Sequence, residues 1–147
     1  MKNTEECANI HIVSKRTAEG TLERSEFCVK GGFYEKKGAY YVTYKEHKKT
    51  GLENTRTILK IADNCVTMKK MGDFKTSVSY QEGKITDFSY ETPFGKTDMK
   101  IKTTKIADRL SDNGGTLKIL YTLFAGGGDI ENEITIDVKL RSEKNES

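Results

Sequence analysis

The side chains with the strongest claim to chemistry are charged residues that share an alternating face with apolar ones. Glu46 alternates with Val42 and Tyr44, Lys70 with Val66 and Met68, and Arg16 with Ile10 and Ile12. In a strand every second side chain points the same way, so these charges face wherever the aliphatic residues face. An unpaired charge is costly to bury; each must therefore meet a counter-charge, meet a ligand, or lie at a strand end where its head reaches water. The first two readings make Tyr44, Glu46 and Lys70, with the nearby cation Arg56, candidate contacts for a small, partly apolar ligand. The third makes them ordinary rim residues.

Other reactive residue types are present without the partners their chemistry requires. Cys7, Cys28 and Cys65 are far apart, odd in number, and lack both the paired spacing of a zinc site and the density of a secreted disulfide framework. They read as reduced thiols, because a nucleophilic cysteine wants a base and the chain has only His11 and His47. His47 follows Glu46 directly, but adjacent strand residues point to opposite faces, and neither histidine has a second ligand at metal spacing. The glycine-rich stretch at residues 125–129 lacks the Gly-Lys-Ser/Thr ending and following helix of a phosphate loop, and reads as a hairpin connection. With no nucleophile and base, metal set or cofactor fingerprint, no catalytic residue, metal or cofactor is expected, and an enzyme is the third reading, one that a cleft bringing Glu46, Arg56 and Lys70 together would revive.

Lys45, Lys48, Lys49, Arg56 and Lys60 gather near Tyr40, Tyr41 and Tyr44, a mixture that in other small barrels binds single-stranded nucleic acid. Glu46, Glu53 and Asp63 dilute that charge, and a solvated wall explains it better. Over the whole chain of 147 residues, 25 Lys and Arg stand against 22 Asp and Glu, with the signs interspersed. That is a solubility pattern, and neither DNA nor a membrane surface is an expected partner. The first seven residues carry acids where a secretory signal would be basic, and the apolar run at 117–125 is broken by Lys118 and Thr122. It falls far short of the roughly twenty residues of a membrane helix, so a cytoplasmic protein is expected.

The elements that must position these residues show a period of two. Segments 8–16, 21–30, 33–35, 39–46, 53–62, 65–71, 74–80, 85–92, 97–106, 116–124 and 131–140 alternate apolar and polar residues. The segment 53–62 places Thr55, Thr57, Leu59 and Ile61 on one face, and 131–140 places Ile134, Ile136, Val138 and Leu140 together. Gly31-Gly32 is read as a break between strands, and only residues 105–110, with Ile106 and Leu110 four apart, resemble a helical turn. Connections this short require antiparallel hairpins. A meander left open would expose two long edges, so the expected fold is a single all-β domain over 1–147: a closed or nearly closed antiparallel meander barrel of about eight to ten strands. Its ordered core would span 8–140, with a frayed polar tail at 141–147.

Several short motifs resemble the YwiB-like family of uncharacterised bacterial β-barrel proteins. They are Tyr90-Glu91-Thr92-Pro93-Phe94-Gly95 before the strand containing Met99 to Thr103, then Gly32-Phe33-Tyr34, Tyr44-Lys45-Glu46, Thr57-Ile58-Leu59-Lys60-Ile61, Val66-Thr67-Met68 leading to Gly72, and the late Gly115, Leu117, Ile119 and Tyr121. Where the family often has an arginine two residues before the glycine matching Gly72, this chain has Lys70, so a bidentate contact could not be carried over intact. The resemblance implies a calycin-like, lipocalin-type barrel in the cytosol of a Gram-positive bacterium, with no assigned activity. Thr92, Pro93 and Gly95 form a stiff corner by their own chemistry, either a plain turn or the rim of a pocket.

Two functions follow as expectations. One is a binding module whose lumen holds a small ligand. The other is a packed barrel that meets a protein partner or a second copy through outward Ile58, Leu120 and Phe124.

Overall fold

A computed structural model describes residues 7–46, 52, 54–125 and 128–141. Every regular element in it is a strand: β1 (Ala8–Ala18), β2 (Thr21–Lys36), β3 (Ala39–Lys45), β4 (Thr55–Ala62), β5 (Cys65–Gly72), β6 (Lys75–Gln81), β7 (Ile85–Thr92), β8 (Gly95–Ser111), β9 (Gly114–Ala125) and β10 (Gly128–Leu140). Each pairs antiparallel with its sequence neighbours, and β10 returns to pair with β1, closing a ten-strand meander barrel. No described helix is long and apolar enough to cross a membrane. The barrel continues through Arg141, whose N–H donates to the Cys7 carbonyl at 2.8 Å; residues 142–147 of the expected tail lie outside the described chain.

Three hairpins close through two-residue loops in which both residues have positive φ: Glu19-Gly20 (51° and 77°), Lys37-Gly38 (52° and 83°) and Asp63-Asn64 (50° and 59°). Loops of that handedness match the twist of the strands they join. The alternation then sends the apolar set inward. Thr55, Thr57, Leu59 and Ile61 are all buried, as the pattern predicts, and Ile10, Ile101, Leu117, Ile119 and Ile136 join them in one contiguous core.

Two expectations are corrected. Gly31-Gly32 does not interrupt the chain; β2 passes straight through. Gly31 is there for close packing, since a Cβ at this position would lie 2.2 Å from the Thr43 carbonyl oxygen and 2.5 Å from Ile10 Cδ1. Residues 105–110 are not helical either, because β8 runs on to Ser111 with a bulge between Thr103 and Lys105. The extra residue shifts the phase of the alternation, and Ile106 and Leu110 sit four apart on one strand face.

The two ends of the barrel differ. At one end the Tyr40 hydroxyl donates to Asp112 Oδ1 at 2.8 Å, joining β3 to the β8–β9 turn. In the ring, β3 and β8 are five places apart in either direction, so this bond crosses the opening from opposite walls. Ile106 is buried and Leu110 packs against the core beneath it. The other end carries the β1–β2, β3–β4, β5–β6, β7–β8 and β9–β10 connections and is the mouth.

Candidate functional site

Two of the three charged residues singled out by alternation, Glu46 and Lys70, meet near the mouth; Arg16, at the end of β1, is exposed to water. Lys70 Nζ lies 2.6 Å from Glu46 Oε2 and donates to Thr57 Oγ1 at 3.0 Å, while the Thr57 hydroxyl donates to the same Glu46 carboxylate. The Glu46 side chain is 2% exposed and that of Lys70 13%. Of the three placements open to such charges, pairing with each other is the one adopted; neither head lies free at a strand end. The register explains the meeting, because Tyr44 stands opposite Thr57 and Thr57 opposite Lys70 across three adjacent strands. Glu46 extends the inward series of Val42 and Tyr44 by donating its N–H to Thr55 O at 2.9 Å. Gly72 lets the end of β5 press against the chain there: its φ is +129°, and a Cβ would lie 2.0 Å from Asn54 O.

Tyr44 is buried beside this pair. Burial drives its phenol far above the usual value, the Glu46 charge pushes the same way, and a hydrogen bond to Thr57 opposes them. Arg56 is not part of the cluster. It sits on the outer face between Lys45 and Met71, because its neighbours Thr55 and Thr57 take the inner one.

Further polar groups inside the barrel were not apparent from the sequence. Tyr80 and Tyr121 meet edge to face with ring centroids 5.0 Å apart. Burial raises both phenols, and the Arg16 charge draws Tyr121 partly back. Opposite Tyr121 in the ladder stands Thr103, wholly buried, with a hydroxyl that has no hydrogen-bond partner. Burial and then the Glu46 charge raise the Tyr90 phenol, whose ring meets Phe74 edge to face opposite Thr76. Phe88, Leu123 and Ile134 are only partly buried where they pack against the core. Alternation alone could have placed Tyr80 and Thr103 inside, beside Val78 and Ile101, but nothing in it marks them as polar neighbours.

The Thr92-to-Gly95 corner lies at the mouth, as a rim would. Thr92 Oγ1 accepts the Phe94 N–H at 3.0 Å and donates to Gly95 O at 3.2 Å, Gly95 has φ +138°, and the Phe94 ring is 96% exposed. His11 belongs to the outer wall, where it contacts Glu26 and lies 3.6 Å from Asp137; it stands across the ladder from Cys28. Among the described residues no group of His, Cys, Asp and Glu is arranged to hold a metal. The tyrosines proposed as a stacking surface point different ways. Tyr44 is interior, Tyr40 stacks on Phe33, and Tyr41 stacks on Tyr34. Ile58, Leu120 and Phe124 are half-covered by their surroundings. His47, Lys48, Lys49, Glu53, Gly126 and Gly127 lie outside the described residues.

Comparison with known proteins gives a consistent picture. The family described as "Domain of unknown function (DUF1934)" matches residues 10–136. The "Uncharacterized beta-barrel protein YwiB" of Bacillus subtilis (strain 168) is 27% identical over 117 residues, which is 80% of this chain and 81% of that protein. The crystal structure of the ywiB protein from Bacillus subtilis aligns with a TM-score of 0.84 at 26% identity, covering 95% of each chain.

Proposed function

This chain belongs to the DUF1934 family, a domain of unknown function, and from that premise we propose that its barrel is a binding module that holds a small, partly apolar ligand at the mouth, against Tyr44, Glu46 and Lys70. The observation that carries this reading is the Glu46–Lys70 pair, sequestered on the same inner face as the aliphatic core. A buried ion pair is commonly no more stabilising than apolar side chains of equal volume, so stability is a poor reason to keep one. As a preset donor and acceptor it would instead orient and select a ligand. The half-buried Phe88, Leu123 and Ile134 supply apolar surface packed against the core, and the Thr92, Pro93 and Gly95 corner would supply a stiff rim. A lipocalin-type use of the lumen and a cytoplasmic setting belong to the same reading; the three free cysteines support the second.

Native mass spectrometry of freshly purified protein tests it. The expected result is a stoichiometric added mass that disappears in a Glu46→Leu/Lys70→Met double variant retaining the barrel's circular dichroism. Bare protein after gentle purification, with no small molecule retained from an extract, would count against the reading.

A protein partner is the second reading, favoured by Phe94 and by Leu22, which is 63% exposed at the β1–β2 tip of the same end. Light scattering that reports a monomer at high concentration, unchanged by Phe94→Ser, would remove a self-association version of it.

A further inference from the structure

Among the described residues the ladder is shortest between β6 and β7. Eight residue pairs join β7 to β8 and six join β5 to β6, whereas only Lys75–Glu91 and Thr76–Tyr90 join β6 to β7. Beyond them side chains replace the backbone bonds: Thr76 Oγ1 donates to Ser89 O at 2.7 Å, and Thr86 Oγ1 donates to Ser79 O at 2.7 Å. Two hydroxyl clasps thus span a stretch where the strands would otherwise exchange backbone hydrogen bonds.

A depression of about 340 Å³ opens at the mouth-side end of this seam, lined by Lys70, Lys75, Thr76, Ser89, Glu91 and Lys96 together with the apolar Met71. Lys70 is therefore shared. Its ammonium group binds Glu46 and Thr57 within the barrel, and the residue also borders the depression. The depression sits at the mouth-side end of the seam, beside the two pairs that close it, and the unpaired stretch of residues 77–81 against 85–89 begins directly behind it. With the Lys70 charge taken up by Glu46, the lining leaves two lysines, Lys75 and Lys96, against the one acid Glu91.

We propose that the β6–β7 seam is the port by which ligand reaches the interior site, and that the depression at its mouth-side end receives the ligand's anionic end, a carboxylate or similar oxyanion held by Lys75 and Lys96 while Glu46 keeps Lys70. The inference rests on the small-molecule reading and adds to it a route and a chemical class. Opening the seam breaks two side-chain bonds and a short ladder, where parting any neighbouring strand pair with a full ladder breaks several backbone bonds at once.

The test uses the full chain and two fluorescent probes that share an aromatic skeleton, 1-anilinonaphthalene-8-sulfonate and the uncharged N-phenyl-1-naphthylamine. Hydrogen exchange of the free protein should show the amides of residues 77–81 and 85–89 opening ahead of those in β8 and β9. In stopped-flow mixing, Thr86→Val should raise association and dissociation rates of the sulfonate together, by about two- to tenfold for the loss of one hydrogen bond, with affinity unchanged. Thr86→Ser, which keeps the hydroxyl, should behave as the parent. Lys96→Gln should weaken the sulfonate about threefold and leave the neutral probe unaffected.

If both probes bind but Thr86→Val leaves the rates alone, ligand enters by the open mouth; the port is refuted and the binding module stands. If neither probe binds the parent protein, the binding module itself fails. Seam amides as protected as those of β8 and β9 would refute the port without reference to any ligand, and so would hold even if Thr86→Val did not fold.

Discussion

At the scale of single residues, the interior charges make the sharpest prediction. Replacing Lys70 by Met leaves the Glu46 carboxylate buried without its cation, a defect that costs about 3–5 kcal/mol in comparable pairs. Replacing both, as Glu46→Leu/Lys70→Met, should restore most of the loss or exceed the parent. Urea denaturation of the two single variants and the double variant gives the comparison, and additive losses would show that the two charges do not depend on each other. Thr103 predicts the opposite direction: its hydroxyl is buried and unpartnered, so Thr103→Val should raise stability by about 1–3 kcal/mol. On the outer wall, Arg24 and then His11 hold the Glu26 carboxyl below its usual value of 4.5. A carboxyl whose pKa is depressed by folding adds stability above that value and withdraws it as acid protonates the group. Glu26→Gln should therefore flatten the decline of stability with falling pH below about 4.5, measured by thermal melts across the acid range.

At the scale of elements, the strands were legible wherever period two ran unbroken, as in β4 and β10, because a half-buried strand can satisfy its neighbours in few other ways. The pairing of Glu46 with Lys70 was legible as a need for a partner, though the identity of that partner depended on register, which alternation does not supply. The failures share one cause. A single extra residue between Thr103 and Lys105 shifted the phase of β8, and positions four apart, such as Ile106 and Leu110, share a face in a helix and a strand alike. In β2, a glycine pair needed for close approach has the same composition as a turn. The bulge also makes a testable element. It accompanies a hairpin whose tip reaches across the closed end, held there by the Tyr40–Asp112 bond. Tyr40→Phe keeps the ring available to stack on Phe33 but loses that bond, so amides near residues 111–114 should exchange about two- to tenfold faster while β5 and β6 are unchanged. Equal rates in both proteins would mean that packing of Ile106 and Leu110 alone secures the end.

At the scale of the whole molecule, closure depends on the contact most distant in sequence, the ladder of ten residue pairs between β1 and β10. Every other ladder joins neighbours through a short connection, so the order of assembly is constrained: the meander can form locally, but its two edges must then find each other at the entropic cost of a loop nearly as long as the chain. The chain ends are already adjacent in the finished barrel, where the Arg141 N–H meets the Cys7 carbonyl. A circular permutant follows directly, with residues 1–6 and 142–147 replaced by a short flexible linker and new ends placed in the Asp63-Asn64 loop. This makes β10–β1 a hairpin and turns β4–β5, eight pairs long, into the closing seam. Because the same ladders form in the final state, the permutant should keep the parent's strand-dominated circular dichroism and an unfolding free energy within about 2 kcal/mol. A compact but molten product would show that the β4–β5 hairpin must form early, and that closure through β1 and β10 follows from it.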